Sequence, residues 1–399
     1  MKIRAIKPEE RILTEKIESV AFLFKRDFSV TGDIGKGSEE TSEAYKTGRA
    51  AFDENGKMCS CLQLMPFEVT FDGSSVLMGG IGGVASLPEE REKSSIRGIF
   101  EYSMKEMYDI GYIFSYLYPF SPSFYRKFGY ELNMNTVIYS IPISDFRQFN
   151  QTGKLEMYTE GMDASGIKSV YEGYIRDKNL AVIRTDKLWK RFLEKDPYKD
   201  NVFLYIWHDR NGEARSYIKF SIDAVPGSKS NMAVNELVWL DCESFTGIFA
   251  FIGRLTAQME RMIWKAPSHV NLLPLFPEPF DIKQELRTNG MNRIVNVEKA
   301  LGLMSMPEGA GEVVIGVEDN FFPVNSGSYR LEWDNGRHSV ERTRKDPDMT
   351  CDVQTLSQLA TGYLTAEELK LAGRLDIKGN EKQLSRVFTS KKLFIGDYF

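Results

Sequence analysis

Two stretches of the chain contain the same order of predicted elements, and this order limits the possible folds more than any other feature. In the first, strands at 49–52 and 58–64 are joined by a turn containing Asn55-Gly56, a pair typical of tight β-hairpins because both residues accept a positive φ. A strand at 75–87, a helix at 94–109 and a strand at 113–118 follow.

The second stretch repeats this order about 150 residues later. Strands at 201–207 and 214–222 flank an Asn211-Gly212 turn, and a strand at 235–241, a helix at 243–259 and a strand at 261–264 follow. A hairpin followed by strand, helix and strand, occurring twice, predicts two copies of one α/β unit.

The remaining segments predict a helix before the first unit and a third domain after the second. Apolar residues repeat with helical spacing over 8–24. Beyond residue 284 we expect a small α+β domain with strands at 294–297, 313–317, 329–333 and 338–342 and helices at 353–361 and 381–388. The 399 residues exceed what one core usually organises, and we place the three domains at 1–148, 149–284 and 285–399.

The segment between the third strand and the helix of the first unit has the properties of a pyrophosphate site. An apolar strand leads into a turn with two cations, and a helix begins at once, so unpaired backbone N–H groups and positive charge meet at one point. The corresponding turn of the second unit, Asp241-Cys242-Glu243-Ser244, has two acids and no base. We therefore expect one cofactor site, in the first unit, formed by Val84, Ala85, Ser86, Arg91, Lys93, Ser94 and Ser95.

Composition and charge exclude several classes of function. A net charge of −5 argues against general nucleic-acid binding. No run of 18 apolar residues exists, and the first ten residues turn acidic before an apolar segment accumulates, so we expect a cytoplasmic protein without a membrane partner. Four cysteines do not form a disulfide framework, and His208, His269 and His338 lack metal-ligand spacing, so we expect no metal.

Three motifs resemble one family. The segments Leu117-Tyr118-Pro119-Phe120, Phe124-Tyr125-Arg126-Lys127-Phe128-Gly129-Tyr130 and Leu87-Pro88-Glu89-Glu90-Arg91 are similar to those of the Eis (enhanced intracellular survival) acetyltransferases. The resemblance covers the whole chain and implies tandem GNAT-like units, a sterol-carrier-like third domain and an aromatic C-terminus. It also implies acetyl-CoA as cosubstrate and a ring-shaped homo-hexamer.

The resemblance assigns roles to particular residues. Tyr125 matches the general acid, whose unperturbed pKa of about 10 keeps it protonated at neutral pH. The carboxylate of the last residue, Phe399, matches the general base. Phe22, Phe24, Asp27 and Asp397 are expected to bind the acceptor, which is a primary amine of an aminoglycoside-like or polyamine-like cation or of lysine.

Two departures from the family pattern leave other functions open. Ser94 replaces a glycine that lets the backbone approach phosphate, and Glu92 replaces an arginine. These changes are compatible with a degenerate protein that binds coenzyme A weakly or serves as a scaffold. A lipid-binding protein that works through the third domain is a further alternative.

Overall fold

A computed structural model describes residues 1–28, 44–91 and 94–399. These residues form three sheets of seven, seven and five strands with helices on their faces, which confirms the predicted mixed α/β fold class. Among the described residues, no helix has both the length and the apolar character needed to cross a membrane.

The first sheet has the strand order β1-β2-β3-β4-β5-β14-β6. Its strands are β1 (Lys2–Ala5), β2 (Gly48–Phe52), β3 (Met58–Phe71), β4 (Ser74–Ser86), β5 (Phe114–Leu117), β6 (Glu131–Leu132) and β14 (Met291–Ile294). The helices around it are α1 (Arg11–Phe22), α2 (Ser95–Ile110) and α3 (Pro122–Arg126). Because strand side chains alternate between faces, Cys61 packs with α1 on one face and Leu62 packs with α2 on the other.

The second sheet has the order β13-β7-β12-β11-β10-β9-β8. Its strands are β7 (Asn135–Pro142), β8 (Lys154–Met157), β9 (Val202–His208), β10 (Ala214–Asp223), β11 (Ser230–Trp239), β12 (Met259–Pro267) and β13 (Lys283–Thr288). The helices are α4 (Ser165–Ile175), α5 (Asp186–Leu193), α6 (Pro197–Asp200) and α7 (Cys242–Gly253). In both sheets one parallel strand pair, β4–β5 or β11–β12, follows an antiparallel hairpin.

The first two sheets exchange strands. β7 follows the first unit in sequence but pairs with β12 and β13 in the second sheet. β14 follows the second unit but lies between β5 and β6 in the first sheet, with Met291 opposite both Leu117 and Leu132. The first sheet therefore includes β14, which follows the second unit in sequence, and the second sheet includes β7, which follows the first unit.

The third sheet has the order β17-β16-β15-β18-β19. Its strands are β15 (Ala310–Glu318), β16 (Gly327–Asp334), β17 (Arg337–Thr343), β18 (Met349–Asp352) and β19 (Asp376–Ile377), with helices α8 (Val297–Leu303), α9 (Val353–Thr361), α10 (Ala366–Leu371) and α11 (Glu381–Val387). The strand expected at 294–297 is wrong, because the strand ends at Ile294 and the Asn296 side chain caps α8 by accepting from the Lys299 N–H.

A buried ion pair joins the first sheet to the third domain. Arg293 of β14 and Asp319 form a salt bridge, and both side chains are fully buried. The Arg293 guanidinium also donates to the Phe128 carbonyl, just beyond α3. Asp319 in turn accepts from the backbone N–H of Phe322 at 2.9 Å and from the Asn325 amide at 3.0 Å. Both charges are thus compensated inside the protein.

Replacing Arg293 by methionine leaves Asp319 buried without its cation. Removing one partner of a buried pair typically costs about 3–5 kcal/mol, so we expect the R293M variant to lose this much free energy of unfolding in urea denaturation. The control is R287M, which removes an exposed pair with Glu285 and is expected to cost less than about 1 kcal/mol. Equal losses in the two variants would contradict the structural importance of the buried pair.

Candidate active site

β4 and β5 diverge beyond one point and leave an opening in the first sheet. Their parallel pairing runs from Met78 opposite Phe114 to Ile81 opposite Leu117 and ends there. β4 continues to Ser86 and, within the described part of the chain, pairs there with β3 alone, with a bulge between Gly82 and Ala85. The backbone edge of Gly82–Ser86 that faces β5 is therefore free to bond an extended ligand chain.

The N-terminus of α2 lies just past the end of β4. No side chain among the described residues caps this helix, and the first intrahelical bond to its cap residue comes from the Gly98 N–H to the Ser94 carbonyl. The N–H groups of the first turn are thus open to an anion. Arg91, which precedes this turn, is exposed, whereas Lys93 lies outside the described residues.

The N-terminus of the corresponding helix in the second unit is capped by a side chain. The Asp241 carboxylate accepts from the Ser244 N–H at 2.8 Å and so occupies the N-terminus of α7. Arg215 also binds Asp241, at 2.7 Å. A pyrophosphate would have to displace this carboxylate, whereas the first unit offers its amides free.

Serine side chains fix the position of the first unit's turn. The Ser60 hydroxyl bonds both Ser86 at 3.0 Å and Ser95 at 2.6 Å, which ties β3, β4 and α2 together. The predicted cofactor residues Ser86 and Ser95 thus use their hydroxyls inside the protein and leave their backbone groups for a ligand. Ser94 adopts φ 61°, the left-handed conformation in which glycine is preferred.

Tyr125 lies on α3, on the face of the sheet covered by α2. Its ring contacts the rings of Phe124 and Phe120, with centroids 5.2 and 5.4 Å away. Its side chain is buried, and its hydroxyl forms no hydrogen bond with a described residue. Burial, and to a lesser extent Tyr130, raises the pKa of Tyr125 above its usual range, so the hydroxyl stays protonated and available as a donor.

Phe399 lies on the opposite face of the same sheet. Its ring centroid is 4.7 Å from that of Phe67 on β3 and 5.4 Å from that of Tyr118, which follows β5. The ring fills the space above Gly80, where a Cβ would come within 2.7 Å of it. The C-terminal residue thus reaches the side of the opening, and it forms no ion pair or hydrogen bond with the described residues. Tyr118 and Phe120 belong to the segment that links this face to Tyr125.

The face of β4 that carries Phe399 continues toward α1. Gly80, Gly82 and Gly83 of β4 open toward this face, and a Cβ at Gly83 would lie 2.6 Å from the Glu18 carboxylate on α1. Gly83 is three positions along β4 from Gly80, so the Phe399 ring and the Glu18 carboxyl lie over positions about 10 Å apart. The Glu18 carboxyl bonds Gln63, and burial raises its pKa.

The expected acceptor residues differ in their surroundings. Phe22 and Phe24 are exposed at the end of α1, and Asp27 is exposed just beyond it. Asp397 is instead engaged by Arg184 at 3.0 Å, and burial raises its pKa. Glu18, Arg184 and Glu236, the second partner of Arg184, were not predicted as site residues. Glu236 was detectable because it alternates with the apolar Val234 and Val238 on one face of the strand, where buried charge requires a partner.

Three regions of the chain match known domain families. Residues 2–133 and 180–294 each match an acetyltransferase (GNAT) domain, and residues 297–396 match a sterol carrier protein domain. An uncharacterized N-acetyltransferase of Streptomyces avermitilis is 23% identical over 321 residues, covering 77% of this chain and 78% of its own length.

Solved structures share the fold over the whole chain. A GCN5-related N-acetyltransferase from Anabaena variabilis has a TM-score of 0.85 at 22% identity, with all of both chains covered. A probable N-acyltransferase from Enterococcus faecalis has a TM-score of 0.84 at 23% identity, covering 100% of this chain and 99% of that one. Eis1 from Mycobacterium abscessus has a TM-score of 0.82 at 19% identity, again over the whole of both chains.

The chain is therefore an acetyltransferase of the GNAT type, with two GNAT domains followed by a sterol carrier protein domain. More particularly, its architecture is Eis-like, as the resemblance of its motifs predicts. GNAT domains use acetyl-CoA as cosubstrate, and the open strand edge and the uncapped α2 fit its pantetheine and pyrophosphate. No group of three or more potential metal ligands occurs among the described residues.

Ser94 provides a direct test of the cofactor turn. Its left-handed conformation costs a non-glycine residue roughly 1–2 kcal/mol, so S94G should raise the free energy of unfolding by about 1 kcal/mol. Since glycine also removes the side chain beside the open amides, we expect the Kd of acetyl-CoA in calorimetry to stay the same or to fall. The S94A variant keeps the strain and is the control. An equal gain in S94A would assign the effect to the lost hydroxyl.

Proposed function

We propose that this protein transfers the acetyl group of acetyl-CoA to a primary amine of a cationic acceptor, by direct attack of the amine on the thioester. The observation that carries the proposal is the position of Phe399, whose ring rests on Gly80 beside the β4–β5 opening, on the face opposite Tyr125. The ring is partly buried there against Phe67 and Tyr118, whereas free termini usually fray.

The two proton transfers of the reaction have separate candidates. The terminal carboxylate accepts the proton that the attacking amine loses, and it has no competing cation among the described residues. Tyr125 gives a proton to the departing thiolate, and the raised pKa keeps this acid protonated through neutral and mildly alkaline pH. One proton is taken up and one is released, so the pair returns to its starting state after proton exchange with water.

The surface of β4 between Phe399 and Glu18 supports a cationic acceptor. Both residues carry a carboxyl group, and Gly82 between them has no side chain, with the Met65 methyl nearby. Gln63, Met65 and Phe67 of β3 are partly exposed on the same face. An acceptor with a second ammonium about 10 Å or less from the reacting amine can thus contact both charges. Phe22, Phe24, Asp27 and Asp397 remain predicted acceptor residues.

Extending the chain by two glycines tests the role of the terminal carboxylate. The extension replaces the carboxylate of Phe399 with a neutral amide and moves the charge along the chain. Because loss of a general base typically costs about a hundredfold or more, we expect kcat to fall by this amount while the Kd of acetyl-CoA stays within about twofold. Stopped assays of CoA release and calorimetry measure the two quantities.

The control is the same extension placed at the N-terminus, before Met1. An extended C-terminus with normal kcat would remove the carboxylate from the mechanism. If neither the unmodified nor the extended protein gives heat with acetyl-CoA, the alternative of a catalytically degenerate scaffold is favoured.

Glu18 provides the test for the acceptor class. We expect E18Q to lower kcat/KM about tenfold for hexamethylenediamine, since a charged hydrogen bond contributes about 1.5–3 kcal/mol, and to leave hexylamine almost unchanged. The control is E101Q on the exposed face of α2. An equal effect of E18Q on both amines would contradict recognition of a second ammonium by Glu18.

A lipid-binding function finds less support in the third domain. Its sheet buries Val313, Ile315, Leu331 and Trp333 against α9 and α11 in one continuous core. The cleft between α10 and the end of α11 has a volume of about 270 Å³ and is lined by Thr365, Ala366, Glu367, Ser385, Phe388, Thr389 and Ser390. Ligand cavities are usually larger, about 300–1,000 Å³.

A further inference from the structure

The second GNAT unit has an opening of its own. The parallel pairing of β11 and β12 ends at Val234 opposite Trp264. A bulge follows at once, because Phe220 pairs with Val234 and the adjacent Lys219 pairs with Glu236. This is the same arrangement of hairpin, bulge and diverging parallel strands that forms the cofactor opening of the first unit.

A buried charged cluster lies beside this second opening. Arg184 donates to both carboxylate oxygens of Glu236, at 3.0 and 2.5 Å, and its side chain is 1% exposed. The Tyr217 hydroxyl donates to the same carboxylate at 2.5 Å. The guanidinium also stacks on Tyr171, with its carbon 4.1 Å from the ring centroid. Such a bidentate, stacked arginine is held in one orientation.

The C-terminal tail enters this cluster. The Arg184 Nε donates to both oxygens of Asp397, at 3.0 and 3.1 Å. A Cβ on Gly396 would lie 2.9 Å from the Glu236 carboxylate, so the tail backbone passes directly over it. Upstream, Phe394 is buried with Tyr171 and Tyr174 in the core of the second unit. The second unit therefore binds the tail, two residues before it ends at the first unit's opening.

In the second GNAT unit, the turn that corresponds to the phosphate site is capped by Asp241. We infer that this unit holds the C-terminal tail in place, and that Arg184 is a positioning residue for the Phe399 carboxylate. This inference rests on the proposed function of that carboxylate. Arg184 does not touch the reacting groups. It acts through Asp397, since a salt bridge at this position limits how far the last two residues can move.

The D397A variant tests the inference, because it cuts the tail from Arg184 and leaves the Arg184–Glu236 pair intact. R184K keeps the charge and loses the fork that binds Asp397 and Glu236 together, and it serves as the second variant. For both we expect kcat to fall about tenfold to a hundredfold, with the Kd of acetyl-CoA within about twofold. The control is D376A, the same substitution at an exposed position of the third domain.

Two further readouts separate positioning from a general loss of structure. Release of Phe399 by carboxypeptidase should be at least about tenfold faster in D397A than in the D376A control. In the chain extended by two glycines, D397A should cost no additional kcat, because the carboxylate that it positions is already displaced.

The outcomes distinguish this inference from the proposed function. Unchanged carboxypeptidase release in both variants would overturn the inference, whether or not the protein is active. Faster release with unchanged kcat would show that the tail is held but that its carboxylate is not the base, and it would overturn the positioning role. Additive losses in the extended chain would likewise contradict it.

Discussion

The exchange of β7 and β14 between the first two sheets is the constraint on which the rest of the structure depends. β14 is the neighbour of β5, so the strand that borders the opening is supported by a segment from beyond the second unit. The same short strand carries Arg293, whose guanidinium bonds Asp319 and the Phe128 carbonyl. The four residues of β14 thus connect the first sheet, the loop after Tyr125 and the third domain.

Two buried arginines act at comparable places on either side of the opening. Arg293 supports the segment that follows Tyr125, and Arg184 holds the tail that ends at Phe399. Each carries hydrogen bonds to more than one part of the chain, so its charge is compensated and its orientation fixed. Gly129 shows how tightly the first contact is packed, because its φ is 81° and a Cβ would lie 2.5 Å from the Arg293 guanidinium.

Local signals predicted the elements well, and contacts between distant segments escaped prediction. The repeated hairpin, strand, helix and strand correspond to β2–β5 and β9–β12, and α9 covers the expected 353–361. The predicted strand at 294–297 was wrong because the apolar residues around Asn296 are typical of a strand, whereas the Asn296 side chain caps α8. Nothing in the local pattern indicates that β14 joins the first sheet, since its partners lie more than 150 residues away in sequence.

In the candidate site, too, the features that depend on neighbouring residues were predicted and the contacts between distant segments were not. The turn before α2 was predicted from residue types that are close in sequence, and its open amides follow from the absence of a cap among the described residues. The partners of Arg184 lie 52 and 213 residues from it in sequence, so no local pattern connects them. A charged residue at a buried strand position indicates that a partner exists, without indicating which one.

The position of the tail also explains why one salt bridge matters so near the chain end. Leu393, Phe394 and Ile395 are buried and offset the entropy lost when the tail is ordered. Beyond Asp397, the tail is held mainly by ring contacts, such as that of Tyr398 on Tyr118 at 4.8 Å, and by the bond between the Tyr398 hydroxyl and Asn289. Ring contacts tolerate sliding, whereas a forked charged hydrogen bond does not. The last charged contact before the chain end is therefore the one between Asp397 and Arg184 of the second unit.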